Sequence, residues 1–343
     1  MEEKALVVGP SWVGDMLMSQ SLYRRLKLQN PDRQLDVLAP DWCRAVLSRM
    51  PEVDNAIAMP VGHGSLQLGV RRQLGRELKK TGYQQAFVLP NSLKSALVPW
   101  FAGIPRRIGW RGEMRYGLLT DLRALNKEAF PLMVQRYVAL AEAPLSSAEQ
   151  LPPILNPLLR TDVDSQQQAL KKFNLNAERA IAFCPGAEFG PAKRWPDYHY
   201  AALARQLIAE GWQVWLFGSQ KDHPVGEQIR QQLNNHEQAQ CINLSGQTSL
   251  EQAIDLLALT QVAVSNDSGL MHMAAAVDTP LVALYGPTSP EHTPPLSDKA
   301  EVIRLIDGFI KIRKGDADQG YHQSMIDISP ELAYQSVNKW LKG

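Results

Sequence analysis

Short, unbroken apolar runs alternate along this chain with longer stretches in which apolar residues recur at helical spacing. Ala5–Val8 is one such run, closed by Gly9-Pro10, and an amphipathic stretch over Met16–Leu28 follows it. Leu35–Ala39 and Ala86–Leu89 are two more runs, each ending at a proline. Runs that are apolar throughout predict strands buried on both faces, as in a parallel sheet. Leu66, Val70, Leu74 and Leu78 recur at every fourth position with Arg71, Arg72, Arg76, Lys79 and Lys80 off the stripe, which predicts one helix face packed on that sheet. The pattern then repeats. Strands are expected at Ala180–Cys184, Val214–Phe217, Val262–Ser265 and Leu281–Tyr285, with helices over Tyr198–Glu210, Ser249–Leu259 and Leu270–Ala276. Ser329-Pro330-Glu331 opens a last helix, with a cap, a proline in the first turn and an acid beside the helix dipole.

Between the two series, residues 143–164 hold Pro144, Pro152, Pro153 and Pro157 and little periodicity, so they read as an interdomain crossing. The expected organisation is a first domain over 1–160, a second over 161–328 and a C-terminal helix over 329–343. Strand–helix alternation in both makes each an α/β, Rossmann-like domain with a doubly wound parallel sheet, the two facing across a cleft. Ligands of such sheets bind outside the carboxyl ends of the strands, so the loops following the strands are where chemistry is sought.

Composition narrows the class without identifying it. The chain has 343 residues, 45% hydrophobic and 21% charged, which suits two globular domains and excludes a disordered chain. The net charge of +1 leaves any anionic partner to local charge distribution, and no nucleic-acid partner is expected. Cys43, Cys184 and Cys241 are odd in number and widely spaced, which fits a reducing compartment. The start, Met1-Glu2-Glu3-Lys4, is acidic where a signal peptide is basic, and Pro99 breaks the longest apolar stretch. A cytoplasmic protein is expected, touching a membrane only from its surface.

Four loops carry candidate chemistry. In Gly9-Pro-Ser-Trp-Val-Gly14-Asp15, Gly14 allows a tight turn and Asp15 sits at a helix start, either as a cap or as a general base. The loop from Pro185 to Pro196 has glycines at 186 and 190, then Lys193 and Arg194, a point charge and a fork suited to a diphosphate. In Phe217-Gly218-Ser219-Gln-Lys221-Asp222, the acid suits ribose hydroxyls, or the loop is simply exposed. In Ser265-Asn266-Asp267-Ser268-Gly269-Leu-Met-His272, a strand runs into a helix whose first amides form an anion site; Asp267 is a ligand contact or a cap, and His272 a contact or a satisfied helix residue. No phosphate-binding loop of the G-x-x-x-x-G-K-[ST] type and no nucleophile elbow occurs, and Gly62-His63-Gly64 lacks the third glycine of a dinucleotide fingerprint. The Asp-x-Asp triplets at 162–164 and 316–318 end no buried strand and are set aside as metal sites.

Together these loops, with Leu89-Pro-Asn-Ser-Leu-Lys-Ser95, Gly109 through Tyr116 and Leu284-Tyr-Gly-Pro287, resemble the lipopolysaccharide core heptosyltransferases over essentially the whole chain. The resemblance implies a GT-B fold and an inverting, metal-independent transfer of heptose from ADP-heptose, with no cofactor. It implies that Asp15 is the catalytic base and that Lys193 steadies the departing phosphates. Gly14, Lys193, Arg194, Ser219, Asp222, Asp267, Ser268, Gly269 and His272 are the expected donor contacts, Asp222 matching its counterpart only approximately. The acceptor implied is the anionic inner core, heptosyl-Kdo2-lipid A, met at the inner membrane's cytoplasmic face. Lys94, Arg106, Arg107, Arg111, Arg115 and Arg123 form a basic patch suited to that acceptor, and the first five of these are the expected acceptor contacts. Arg194 in place of His, and Ser268 in place of Thr, favour transfer to the first heptose over transfer to Kdo. Other readings are a transferase acting on another core hydroxyl, a nucleotide-sugar epimerase of the same architecture, and a non-catalytic binding module.

Overall fold

The computed structural model describes residues 3–62, 64–188, 190–308, 312 and 314–342. Met1, Glu2, His63 and Phe189, drawn on above, lie outside the described residues. The chain divides into two compact units, Met1–Pro157 and Leu158–Gly343.

The first unit holds a six-stranded sheet of β1 (Lys4–Val8), β2 (Gln34–Ala39), β3 (Asn55–Ala58), β4 (Gln85–Val88), β5 (Arg106–Trp110) and β6 (Asp121–Arg123). Their spatial order is β3-β2-β1-β4-β5-β6, all parallel. The second holds β7 (Ala180–Cys184), β8 (Gln213–Leu216), β9 (Cys241–Asn243), β10 (Val262–Asn266), β11 (Leu281–Tyr285) and β12 (Ala300–Arg304), in the order β12-β11-β10-β7-β8-β9, again all parallel. Counted from each unit's own first strand, the two orders are identical. Both sheets reverse direction of build between their first and fourth strands, β1 beside β4 and β7 beside β10. That is the topological switch point, where the flanking loops part and leave a crevice.

The continuous apolar runs form the central strands because each residue there is covered from both faces. Ala5 to Val8, Ala180 to Cys184 and Leu281 to Tyr285 are all buried, and each large side chain so covered contributes roughly 1.5–3 kcal/mol. The strands without a sequence signal are β5 and the four at the sheet edges, β3, β6, β9 and β12. Edge strands here run three to five residues, and β3, β6 and β12 are mostly half-exposed, so they need no apolar run.

The every-fourth stripe of the first unit is displaced. The helix spans Leu68–Leu78, and its buried residues are Arg71, Gly75 and Leu78, whereas Leu66 and Val70 are 50% and 37% exposed. Leu66 precedes the helix, and over Val70, Leu74 and Leu78 a period of 4.0 drifts around a helix of 3.6 residues per turn, so the stripe does not stay on one face. Gly75 lies where a Cβ would sit 2.4 Å from that of Phe101, which lets the Leu97–Phe101 helix pack close. Arg71 is buried because its guanidinium donates to the carbonyls of Leu66, Ser65 and Lys94 at 2.6, 3.1 and 3.2 Å.

In the second unit, Asp162 caps a helix over Val163–Phe173 by accepting the Ser165 amide at 3.0 Å. The Asp162–Asp164 triplet is therefore a helix start inside what reads as the crossing. Ser329 caps Pro330–Leu341, accepting Leu332 N–H at 3.2 Å, and Ala333 and Val337 of that helix are buried in this unit's core.

Candidate active site

At the second switch point, the loop after β7 meets the end of β10. Gly190 adopts φ +110°, a conformation that side chains avoid, and turns the chain into the short helical segment Pro191–Lys193. From there the Lys193 ammonium reaches Asp267, with Nζ 2.8 Å from Oδ2 and both side chains mostly covered. The ends of this loop are tied down by one side chain. Asn266, the last residue of β10 and fully buried, donates through Nδ2 to the carbonyl of Pro185 at 2.8 Å and accepts Trp195 N–H at 3.0 Å. Its Oδ1 also accepts the Tyr200 hydroxyl at 3.2 Å. Trp195 is buried just beyond, its indole N–H donating to the Ile328 carbonyl at 2.7 Å.

Across β7 from this point, Asp222 sits in the turn after β8. One oxygen accepts both the amide and the hydroxyl of Ser219, at 2.9 and 2.7 Å, while the other lies 3.8 Å from the Arg194 guanidinium. Gly186 makes room for this carboxylate: a Cβ there would meet the Asp222 carboxyl carbon at 2.6 Å. Lys193, Arg194, Ser219, Asp222 and Asp267 thus come from the loops after three neighbouring strands, β10, β7 and β8, at one sheet edge.

Neither Asp15 nor Asp267 occupies the cap position of its helix. The cap position of helix Gly269–Ala276 is Ser268, not Asp267, and its side chain makes no capping bond. Gly269 is the first helical residue. His272, one turn in, is buried, and burial lowers its pKa to about 4, with the nearby Lys193 charge acting in the same direction and Asp267 opposing it. It stays a neutral imidazole beside the ion pair at neutral pH.

At the first switch point, the helix after β1 spans Val13–Gln29. Trp12 occupies its cap position without a capping side-chain bond, and Asp15 is the third helical residue. Gly14 lies inside the first turn of the helix, so it makes no separate turn. Asp15 therefore lies beside the positive end of the helix dipole. Burial chiefly, and the Asp15 charge next, push the Tyr137 phenol well up. Lys94 follows β4 and is half-buried, and Arg111 follows β5 and is exposed.

The remaining bases of the expected acceptor patch lie elsewhere. Arg115 is fully buried; its guanidinium donates to the carbonyls of Pro90, at 2.7 Å, and Trp110, so it braces the loop and presents no surface charge. Burial lowers its pKa to about 10. Arg107 is turned inward, its Nε donating to the Leu118 carbonyl at 2.6 Å, and Arg106 pairs with Asp121 at 3.3 Å. Both open β5, whereas Arg111 follows its last residue, a run of about 16 Å at strand rise. A cluster in sequence is here split between the two ends of a strand.

Asn266 is the residue that the sequence reading passes over. Its signal in the sequence is a polar residue ending an apolar strand, beside the more conspicuous charge of Asp267. Among the described residues no group of three or more His, Cys, Asp or Glu side chains is arranged to hold a metal, and no helix is long and apolar enough to cross a membrane.

Two consecutive α/β units of one topology, with polar loops gathered at the switch points, define a protein of the GT-B class. The solved structure of Escherichia coli ADP-heptose LPS heptosyltransferase II is similar to it with a TM-score of 0.91 and 57% identity, covering 98% of each chain. The chain belongs to glycosyltransferase family 9 (heptosyltransferase), whose model matches residues 71–322. It is 60% identical to lipopolysaccharide heptosyltransferase 2 of Escherichia coli strain K12 over 98% of both chains. It is 57% identical to lipooligosaccharide heptosyltransferase 2 of Haemophilus influenzae, over 98% of this chain and 99% of that one.

Proposed function

We propose that this glycosyltransferase moves L-glycero-D-manno-heptose from ADP-heptose onto the first heptose of the lipopolysaccharide inner core, with inversion and without a metal. The observation that carries this reading is 60% identity over 98% of the chain to a protein named lipopolysaccharide heptosyltransferase 2. Asp15 takes the proton of the acceptor 3-hydroxyl, whose oxygen forms a bond to the anomeric carbon. The bond from that carbon to the phosphate oxygen breaks, and ADP leaves with the electron pair.

Lys193 and the first amides of helix Gly269–Ala276 meet the charge that develops on the leaving phosphates. Fixed donors aimed at developing charge act strongly where water is scarce. Supporting this assignment, Lys193 is held by a loop tied at both ends and already faces an anion, Asp267. Arg194, Ser219, Asp222, Ser268 and His272 complete the donor contacts, and Lys94 and Arg111 draw in the anionic acceptor. The enzyme works in the cytoplasm, in peripheral contact with the inner membrane that carries its acceptor.

Incubating the purified chain with ADP-heptose and a defined core bearing one heptose, then locating the new linkage by NMR, tests the reading. A single new bond at O3, of anomeric configuration opposite to the donor's, is expected. Transfer to another hydroxyl, or conversion of the donor with no acceptor present, would overturn it.

A further inference from the structure

Trp12 and Trp42 are 41% and 53% exposed at the carboxyl edge of the first sheet, beside the loop that carries Asp15. Indoles bury more area than almost any other side chain, and exposed ones set next to a polar site mark recognition more often than packing. Trp42 stands in the turn that follows β2, the strand paired with β1. Its ring N–H donates to the carbonyl of Ser11 at 2.9 Å, and the Cys43 thiol approaches the same carbonyl at 3.7 Å. The polar edge of the ring is thus engaged by the loop containing Trp12 and Asp15, while half of its surface remains in water. An aromatic side chain fixed in this way loses little further freedom when something docks on it.

We infer that Trp12 and Trp42 form the platform on which the neutral heptose ring of the acceptor stacks, presenting its hydroxyl to Asp15. The proposal rests on the reading of Asp15 as base. A pyranose has a face of C–H bonds with partial positive charge, which suits the negative face of an indole. Position distinguishes a sugar from the other common occupant of exposed tryptophans, a lipid surface. Trp12 stands three residues before Asp15 at the start of the same helix, and Trp42 is bonded to the loop that leads into it. The basic residues suited to the core's phosphates and carboxylates, Lys94 and Arg111, lie past other strands.

The test is steady-state kinetics of the full chain with Trp12→Ala, Trp42→Ala and the two Phe variants, using ADP-heptose and a Kdo2 core bearing one heptose. Truncating a central aromatic contact typically raises a binding constant by about tenfold. Each Ala variant should raise acceptor KM by about that factor while donor KM stays within about twofold, and each Phe variant should recover most of the loss. Titrating the same core into Asp15→Asn protein with and without Trp42→Ala should show the same weakening in the absence of turnover. Unaltered melting curves are expected, since neither ring is in the core. Unchanged acceptor KM in both Ala variants overturns the platform, and so does an equal rise in donor KM. Reduced binding to phosphatidylglycerol vesicles with acceptor KM intact also overturns it, in favour of a lipid contact. If the wild-type chain makes no product from these substrates, the proposed function fails and takes the platform with it. If it turns over and Asp15→Asn does not, a null result in the Trp variants sinks the platform alone.

Discussion

The two sheets have one strand order, yet their carboxyl edges are built differently. In the second unit, the loops after β7 and β10 are cross-linked by covered polar contacts, Asn266 to Pro185 and Trp195 and Lys193 to Asp267, and the loop after β8 meets them through Asp222 beside Arg194. In the first, the corresponding edge presents exposed rings and a helix turn, and its buried arginine, Arg115, holds backbone rather than another side chain's charge. The difference matches the chemistry proposed for each. A diphosphate has a fixed shape and high charge, which rewards a rigid set of donors; a branched, lipid-anchored saccharide is met over a wider, more open surface. One topology therefore supports a locked edge and an open edge, and the loops alone decide which.

The sharpest way to break this contrast is to remove one group from each edge. Asp15→Asn should reduce kcat by about 10²–10⁴-fold with folding intact, because general-base help is typically worth that much. Turnover close to wild type would remove Asp15 from the mechanism. Asn266→Ala should act on the other edge, raising donor KM while leaving acceptor KM nearly unchanged. It should also destabilise the second unit by about 2 kcal/mol or more, since it leaves Trp195 N–H and the Pro185 carbonyl without their partner. Calorimetry together with donor titration checks both, and equal effects on the two substrates would contradict a locked donor edge.

A pH experiment sharpens the comparison within the second unit. His272 has a folded pKa lowered to about 4, below its unfolded value, so the unfolded chain binds the proton first as pH falls. Its neutral form therefore contributes stability fully above pH ~6.5, and that contribution declines progressively as pH falls to about 4. The loss is on the order of 3 kcal/mol. Denaturant titrations between these pH values should show a shallower dependence in His272→Gln; an identical slope would mean that other groups dominate. The smallest effects belong to the arginines at the two ends of β5. Arg111→Glu should raise acceptor KM several-fold through lost steering, whereas Arg106→Glu, at the strand's other end, should change it by less than about twofold. Equal effects would restore a single continuous basic patch.

The inner strands of both sheets other than β5, which opens with two arginines, were readable from the chain because burial on two faces demands unbroken apolar runs. The edge strands β3, β6, β9 and β12 were not, since a strand paired on one side needs neither length nor full burial. Loop positions follow from the strands, but the contacts of the residues in them depend on distances that spacing does not encode. Lys193 and Asp267 are 74 residues apart and pair only because β7 and β10 are neighbours. The cluster from Lys94 to Arg115 misled for the converse reason. Adjacency in sequence places Arg106 and Arg111 at opposite ends of one strand and hides that Arg115 points inward.

Asn266 differs from an aspartate only by an amino group in place of an oxygen. Hydrolysis of that one amide would turn a hydrogen-bond donor into a second acceptor facing the Pro185 carbonyl, and nearby Asp267 would add a further negative charge. The loop bearing Lys193 would then be pushed off the strand that holds it while the rest of the chain kept its fold. The fold therefore cannot exchange this amide for its acid and keep Lys193 in place, a constraint that no charge or length at the position would reveal.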